Sequence, residues 1–298
     1  MMPTMPTQTR APITQDQIAQ YHRDGFLVIQ DLIPPDLVAQ LVERFEPMFA
    51  GEFETGVYPE EWHWNPYLGK PGAAGQMTGV WRCDRTLASV LMSAKIAQMA
   101  AALEGWSGAR FLADGMWIKP PGAPPVSFHR NSPYVASLNP SNIVTCWIAL
   151  SHATPAAGTL QIVPGSHRWD CTDSVRFLHA PREDYRAPLW RAAEAAGVAT
   201  PEILSVDLSA GSAICFHGHL WHGSDGNQTA EHTRRSLAIS TIHPQTQFRP
   251  SSDQGFIFSR YRRIDTVEME ESYFPILWSQ DGYRTPFLAD YCDDALAI

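Results

Sequence analysis

Phe111-Leu112-Ala113-Asp114-Gly115-Met116-Trp117-Ile118-Lys119 is a β-favouring run that stops at Pro120-Pro121-Gly122. It opens a series. Val126 to Phe128, Val144 to Leu150, Thr159 to Val163, Ser212 to Phe216 and Ser236 to Ile242 follow, with Gly and Pro between them. Many short strands separated by turn signals predict a sandwich or barrel. The expected fold is mainly β with flanking helices, a jelly-roll core over about 109–245. The Ala-rich stretch Pro181 to Ala196 interrupts the strands and predicts an inserted helix, stopped at Gly197.

Upstream of this core the periodicity is helical. Thr14-Gln15-Asp16-Gln17 has the capping-box pattern, with Gln17 three residues after the cap. Ile18 and Tyr21 share a face, Gly25 ends the helix, and Phe26 to Ile29 reads as a strand. Pro34 starts a second helix with Leu37, Val38, Leu41, Val42 and Phe45 as its buried stripe. Thr86 to Met92 and Ala94 to Leu103 also read as helices, stopped near Gly105. Residues 51–82 show no period and read as a long loop. Its aromatics Tyr58, Trp62, Trp64, Tyr67 and Trp81 are expected at a pocket mouth, beside an apolar or ring-bearing small molecule. After Pro244 the polar, aromatic tail (Phe256, Phe258, Tyr261, Tyr273, Phe274, Trp278) is expected to wrap the barrel or close its mouth.

Composition narrows the class. With 298 residues, 44% hydrophobic and 18% charged, the chain is long and apolar enough for one large domain, 13–298, after a loose Pro/Thr-rich tail at 1–12. A net charge of −9 without a basic stripe argues against a nucleic-acid partner. Cys83, Cys146, Cys171, Cys215 and Cys292 are scattered without CxxC spacing, so neither a disulfide framework nor a structural zinc site is expected. No apolar run approaches the roughly 18 residues that span a bilayer, and no signal-peptide pattern opens the chain. The expectation is a cytoplasmic protein with no membrane partner; the sequence carries no sign of oligomeric state.

The chemistry-bearing residues lie inside the β-rich part. His129 and Asn131 stand two apart in Phe128-His129-Arg130-Asn131, and residues i and i+2 of a strand share a face. His222, in Leu220-Trp221-His222-Gly223-Ser224, comes 93 positions after His129. Two imidazoles and one oxygen ligand on one face of a ferrous ion leave positions open for oxygen chemistry. Arg234 and Ser236 share a face of the last predicted strand. A guanidinium grips a carboxylate through a planar fork, so this pair suits the far carboxylate of 2-oxoglutarate. Arg235 points the other way and takes that role only if the register slips by one. His167, in Pro164-Gly165-Ser166-His167, reads as a structural residue that pins a turn.

Taken together the motifs resemble the phytanoyl-CoA dioxygenase family of Fe(II)/2-oxoglutarate oxygenases. They run from Thr14-x-x-Gln17-x-x-x-Tyr21-x-x-x-Gly25-Phe26 through Lys119-Pro120-Pro121-Gly122, Phe128-His129, Thr145-Cys146-Trp147-Ile148-Ala149-Leu150 and Pro164-Gly165-Ser166-His167 to Trp221-His222-Gly223-Ser224. The resemblance implies a double-stranded β-helix with N-terminal helices. It implies Fe(II) and 2-oxoglutarate as cofactors, with His129 and His222 on the metal, Arg234 on 2-oxoglutarate, and Lys119, Trp147 and Ser224 along the cosubstrate pocket. It further implies hydroxylation of a small organic molecule by molecular oxygen, with succinate formed.

One ligand departs from the pattern. Relatives read His-Gln-Asp where this chain reads His129-Arg130-Asn131. An amide oxygen can ligate a metal but brings no negative charge. Four outcomes stay open on this reading. Iron binds through two imidazoles and the amide. An anion such as chloride fills the ligand position, as in related halogenases. Asp114 or Asp225 supplies a carboxylate. Or catalysis is lost and the pocket serves a small-molecule binding protein. Arg130 either grips an anionic ligand or faces solvent. The expectation carried forward is an active dioxygenase with an atypical His-x-Asn…His site.

Overall fold

The computed structural model describes residues 13–63, 69–70, 72–170, 184–250 and 258–296. The tail at 1–12, Trp64, Tyr67, Cys171, Phe256 and the start of the predicted insert helix at Pro181 lie outside the described residues.

The N-terminal elements begin and end where their caps require. In α1 (Gln15–Asp24) the Thr14 N–H donates to Gln17 Oε1 at 2.9 Å, and the Gln17 N–H donates to Thr14 Oγ1 at 3.3 Å. Gly25 ends the helix at φ 84°, and a Cβ there would stand 2.5 Å from His167 Nδ1, so both the turn and the close packing need glycine. The strand β1 (Phe26–Ile29) follows, then α2 (Pro35–Glu43) and α3 (Phe45–Ala50). After the short strands β2 (Glu61–Trp62) and β3 (Gly75–Thr78) come α4 (Arg85–Leu91) and α5 (Ala94–Glu104), capped by Asp84 and Ser93. By length and composition Arg85–Glu104 would suffice to cross a membrane, against the sequence reading. It is 72% buried, and the Ser93 cap breaks it into two helices.

The remaining strands are β4 (Gly108–Lys119), β5 (Val126–His129), β6 (Leu138–Asn139), β7 (Ile143–Ala149), β8 (Leu160–Ile162), β9 (Leu204–Ser205), β10 (Ala213–His217), β11 (His222–Ser224), β12 (Arg234–Ile242), β13 (Gln247–Phe248) and β14 (Ile276–Ser279). Two helices join them, α6 (Ala187–Ala195) and α7 (Leu288–Tyr291). The large sheet runs β1-β10-β7-β12-β4-β3-β2 with β14 also on β4; the small sheet runs β5-β11-β8-β9; β13 pairs β6. The two larger sheets face each other as a jelly roll.

Alternation sorts the core into layers. Cys146, Ile148, Cys215, Leu237 and Ile239 point to the outer face of the large sheet, where Leu37, Leu41, Phe45, Leu87 and Ile96 of the helices cover them. Trp147, Ala149, Ile214, Phe216 and Ala238 point inward and meet Leu160 and Ile162 of the small sheet. Outside the small sheet, Phe128, Val163 and Trp221 pack under Leu189 and Ala192 of α6.

Two sequence readings need correction. Residues 51–82 are not one long loop: β2 and β3 extend the large sheet, with Met77 opposite Met116 on β4. Trp62 and Trp81 do not line a mouth. Trp81 is 3% exposed in the helix-side core, edge-on to Phe111 at 5.8 Å and Tyr291 at 5.6 Å. Trp62 meets Phe53 at 5.6 Å on the same side. The C-terminal stretch wraps as expected: β14 adds to the sheet beside β4, and Phe258 and Phe274 seal one end against Leu112 and Ile242.

Candidate active site

The antiparallel pairing of β5 with β11 sets His129 directly opposite His222. Their ring centroids are 4.1 Å apart. Each ring is oriented by a carbonyl two residues back: Nδ1 of His129 donates to Ser127 O and Nδ1 of His222 to Leu220 O, both at 2.8 Å. A carbonyl only accepts, so Nδ1 carries a proton, and in a neutral ring this tautomer puts the lone pair that a metal needs on Nε2. Both residues are buried. Burial pushes the His222 imidazole down to about 4, with the Leu220 carbonyl opposing, so the ring is neutral near pH 7. The Phe216 ring, 4.6 Å from His222, forms one wall.

Asn131 reaches the same region by a different route from the one expected. The strand ends at His129, and Asn131 has αR geometry (φ −81°, ψ −33°) at the start of a 3-10 turn, Ser132–Val135. The Gly218 carbonyl fixes that turn by accepting the N–H groups of Asn131 at 2.8 Å and Ser132 at 2.9 Å. Gly218 can approach because it has no side chain; a Cβ there would lie 2.0 Å from Ile143 Cγ2. The Asn131 Nδ2 donates to Thr145 Oγ1 at 3.0 Å, and Thr145 Oγ1 lies 3.0 Å from Ser240 Oγ. Thr145 pairs with Phe216 across β7 and β10, which places the amide next to the histidine wall.

Neither alternative carboxylate takes the third position. Asp114 lies on the helix side of β4 and accepts the N–H groups of Gly79, Val80 and Trp81 at 2.5, 3.1 and 2.8 Å. Asp225 accepts the Gly226 N–H at 2.9 Å and stands 3.7 Å from Arg186. Among the described residues no group of three His, Cys, Asp or Glu is placed to hold a metal. The candidate donors in this region are the two imidazoles and the Asn131 amide. Arg130 points to the face opposite the site but is buried rather than in solvent: it is 7% exposed and lies 5.5 Å over the Trp221 ring, on the α6 side.

Two basic side chains face each other nearby. Lys119 on β4 pairs with Arg234 on β12. Lys119 is 1% exposed and donates to Ser224 Oγ at 2.8 Å and to the Asp225 carbonyl. Burial, then the Arg234 charge, push its amine down to about 6, with Asp225 acting in the opposite sense. Arg234 lies 5.3 Å over the Trp147 ring, its Nη1 is 3.5 Å from Ser236 Oγ, and its buried Nε has no partner. Burial lowers its guanidinium to about 10. Among the described residues no carboxylate forms an ion pair with either side chain. Arg235 faces outward onto Glu46 at 2.6 Å, which settles the register in favour of Arg234. An orphaned guanidinium N–H, a buried amine ready to take a proton and two serine hydroxyls suit a dicarboxylate such as 2-oxoglutarate.

His129, Asn131, His222, Lys119, Trp147, Ser224, Arg234 and Ser236 thus fall into two adjoining groups inside the jelly roll. His167 lies apart and pins its turn to α1, Nε2 3.2 Å from His22 O. Sequence reasoning missed Thr145 and Ser240; Thr145 stands two before Trp147, and that spacing was the available signal. Surface grooves of about 510 Å³ by Trp190 and Pro201, and about 320 Å³ by Arg260 and Tyr273, involve none of these residues.

This fold and site define an iron- and 2-oxoglutarate-dependent dioxygenase. The phytanoyl-CoA dioxygenase (PhyH) family description matches residues 21–236, and the chain belongs to that family. Iron and 2-oxoglutarate are the family's cofactors. The chain is 31% identical to the dioxygenase trt7 of Aspergillus terreus over 138 residues, which is 44% of this chain and only 40% of that protein. It is 25% identical to the dioxygenase swnH1 of Metarhizium robertsii over 93% of this chain and 86% of that one. The crystal structure of EctD from S. alaskensis with 2-oxoglutarate and 5-hydroxyectoine superimposes with a TM-score of 0.65 at 20% identity, covering 89% of this chain and 90% of that one.

Proposed function

We propose that the chain hydroxylates a small organic molecule, with Fe(II) held by His129, His222 and the Asn131 amide oxygen and 2-oxoglutarate anchored by Arg234. The observation that carries this reading is the buried pair of facing imidazoles with both Nδ1 positions occupied by carbonyls. Bound Fe(II) with 2-oxoglutarate supplies oxygen activation, which ends in C–H hydroxylation and the conversion of 2-oxoglutarate to succinate and CO₂.

The chain's own residues bind, orient and exclude water. Ser127 and Leu220 carbonyls hold the imidazole tautomers. Phe216, Ile162 and Leu160 keep the interior dry, which strengthens electrostatic contacts inside it. Arg234, aligned on Trp147, presents its fork to the distal carboxylate, and Ser236 adds a hydroxyl. Lys119, held by Ser224, is an amine at the same end that takes up a proton, and so a second positive charge, when the dianion binds beside it. The cosubstrate dianion therefore enters a site with a guanidinium and a protonatable amine at one end and an uncharged three-donor set at the other. The missing carboxylate leaves the metal with one more positive charge than an Asp would.

Substrate-independent turnover of 2-oxoglutarate to succinate tests the reading. The wild type is expected to show slow, Fe(II)-dependent succinate formation that His222→Ala abolishes. Asn131→Asp is expected to raise it, since it restores a charged ligand on intact machinery. Absence of succinate from both the wild type and Asn131→Asp, with both folded, overturns the proposal.

A further inference from the structure

We propose that Thr145 is a positioning residue for the metal site: its hydroxyl accepts the Asn131 amide N–H and so presents the amide oxygen, rather than the NH₂, to the metal. The inference rests on the proposed role of Asn131 as a ligand and adds what makes an amide usable there.

A carboxylate offers an oxygen whichever way it turns. An amide does not. Its oxygen carries lone pairs, whereas its nitrogen carries two N–H donors and no lone pair for a cation. The two orientations have nearly the same shape, so packing alone does not choose between them, and a rotated Asn131 would aim N–H groups at a dication. A polar neighbour must therefore set the direction.

The structure supplies that neighbour on a rigid element. Thr145 is 5% exposed and points inward from β7, as Trp147 does two residues on. Ser240 on β12 is its directly opposed partner. The Thr145 hydroxyl accepts from Asn131 Nδ2 at 3.0 Å, and Ser240 Oγ lies 3.0 Å from it, where either hydroxyl can donate; with Asn131 as donor, the Thr145 proton is left for Ser240. A hydroxyl has one proton to give. In the arrangement with Thr145 giving its proton to Ser240, Thr145 faces Asn131 as an acceptor only, and an acceptor selects the NH₂ end. The amide oxygen is thereby turned away from Thr145. The backbone of Asn131, tied to the Gly218 carbonyl at 2.8 Å, fixes the point from which the side chain projects.

The test measures binding of Mn(II) by EPR, anaerobically with saturating 2-oxoglutarate, so turnover does not enter. Thr145→Val keeps the shape and removes the acceptor; it is expected to weaken Mn(II) binding by about 10–100-fold, the usual effect of losing a residue that orients a ligand. Thr145→Ser is expected to restore affinity to within about twofold, the scatter of independent effects. In the Asn131→Asp background, Thr145→Val is expected to change affinity by no more than about twofold, because either carboxylate oxygen serves. Ser240→Ala frees the Thr145 proton for the amide oxygen. It is expected to weaken binding when Asn131 is retained and not in the Asn131→Asp background, and it decides the matter if Thr145→Val does not fold. Unchanged affinity in Thr145→Val or Ser240→Ala, or equal losses in both backgrounds, overturns the positioning role while leaving the metal site standing. A wild type that binds no Mn(II) overturns the site reading and this inference with it.

Discussion

Replacing Arg234 with Met separates stability from function in opposite directions. The guanidinium is 5% exposed, has an unpartnered Nε and forms no ion pair among the described residues. Burial lowers it from its ordinary value above 12 to about 10, a cost of roughly 3 kcal/mol at about 1.4 kcal/mol per pH unit. Against this stands its contact with Trp147, worth about 1–2 kcal/mol for a desolvated cation–π pair. Without ligand, Arg234→Met is therefore expected to gain about 1–2 kcal/mol, or roughly 2–3 °C in Tm for a chain of this size. With ligand the sign reverses. Truncating one partner of a buried, hydrogen-bonded charge pair costs about 2–5 kcal/mol, so the Kd for 2-oxoglutarate should rise roughly 30- to 5,000-fold. Thermal denaturation with and without 2-oxoglutarate and Mn(II), followed by direct titration, reads both effects. Arg235→Met is the control: its partner Glu46 has a side chain 64% exposed, so the loss should stay below about 1 kcal/mol with 2-oxoglutarate binding intact. An unliganded Arg234→Met that loses several degrees while binding 2-oxoglutarate normally refutes the reasoning. So does loss of cosubstrate binding in Arg235→Met.

Two further outcomes concern protons. Lys119 is held to about 6, and a dianion beside it favours the ammonium form, so at pH 7.5 2-oxoglutarate binding should take up close to one proton. Calorimetric titration in two buffers of different ionisation enthalpy reads that number, and Lys119→Met should reduce it to near zero. His217 and His222 are both lowered to about 4 by burial, against an ordinary 6.5. Between pH 4 and 6.5 the unfolded chain binds protons at these sites that the folded chain does not, so their contribution to stability rises with pH and is lost as pH falls towards 4. His217→Gln should flatten the stability–pH slope in that window by up to about 1.4 kcal/mol per pH unit, measured by urea unfolding; an unchanged slope contradicts the assignment.

The parts of the site legible in the sequence are those set by local rules. Strand alternation alone put Arg234 and Ser236 on one face and Arg235 on the other. The capping box at Thr14 and the stop at Gly25 needed only neighbouring residues. The pairing of His129 with His222 was suggested by motif order, but their opposition is a matter of register between strands 93 residues apart. The same limit hid the Asn131 contacts. Its conformation depends on the Gly218 carbonyl and on Thr145, both remote in sequence, so the reading extended the strand through 131 where the chain turns. The strand β3 was invisible because Gly75-Gln76-Met77-Thr78 has little β character of its own. It pairs beside Ile118 because Gly75 has no side chain, and a Cβ there would lie 2.6 Å from Ile118 Cγ2. Trp81 looked exposed because Gly- and Pro-rich sequence surrounds it, yet partners as distant as Phe287 and Tyr291 bury it.

The central claim is that His129 and His222 hold one ferrous ion next to a 2-oxoglutarate bound at Arg234. Visible absorption under anaerobic conditions tests it most directly, because chelation of Fe(II) by the keto-acid end of 2-oxoglutarate gives a charge-transfer band. The account predicts a weak band when both are added to the wild type, lost in His129→Ala and in His222→Ala and displaced to much higher 2-oxoglutarate concentration in Arg234→Met. A folded wild type with no band and no retained iron, or an undiminished band in the His129→Ala/His222→Ala double variant, contradicts it.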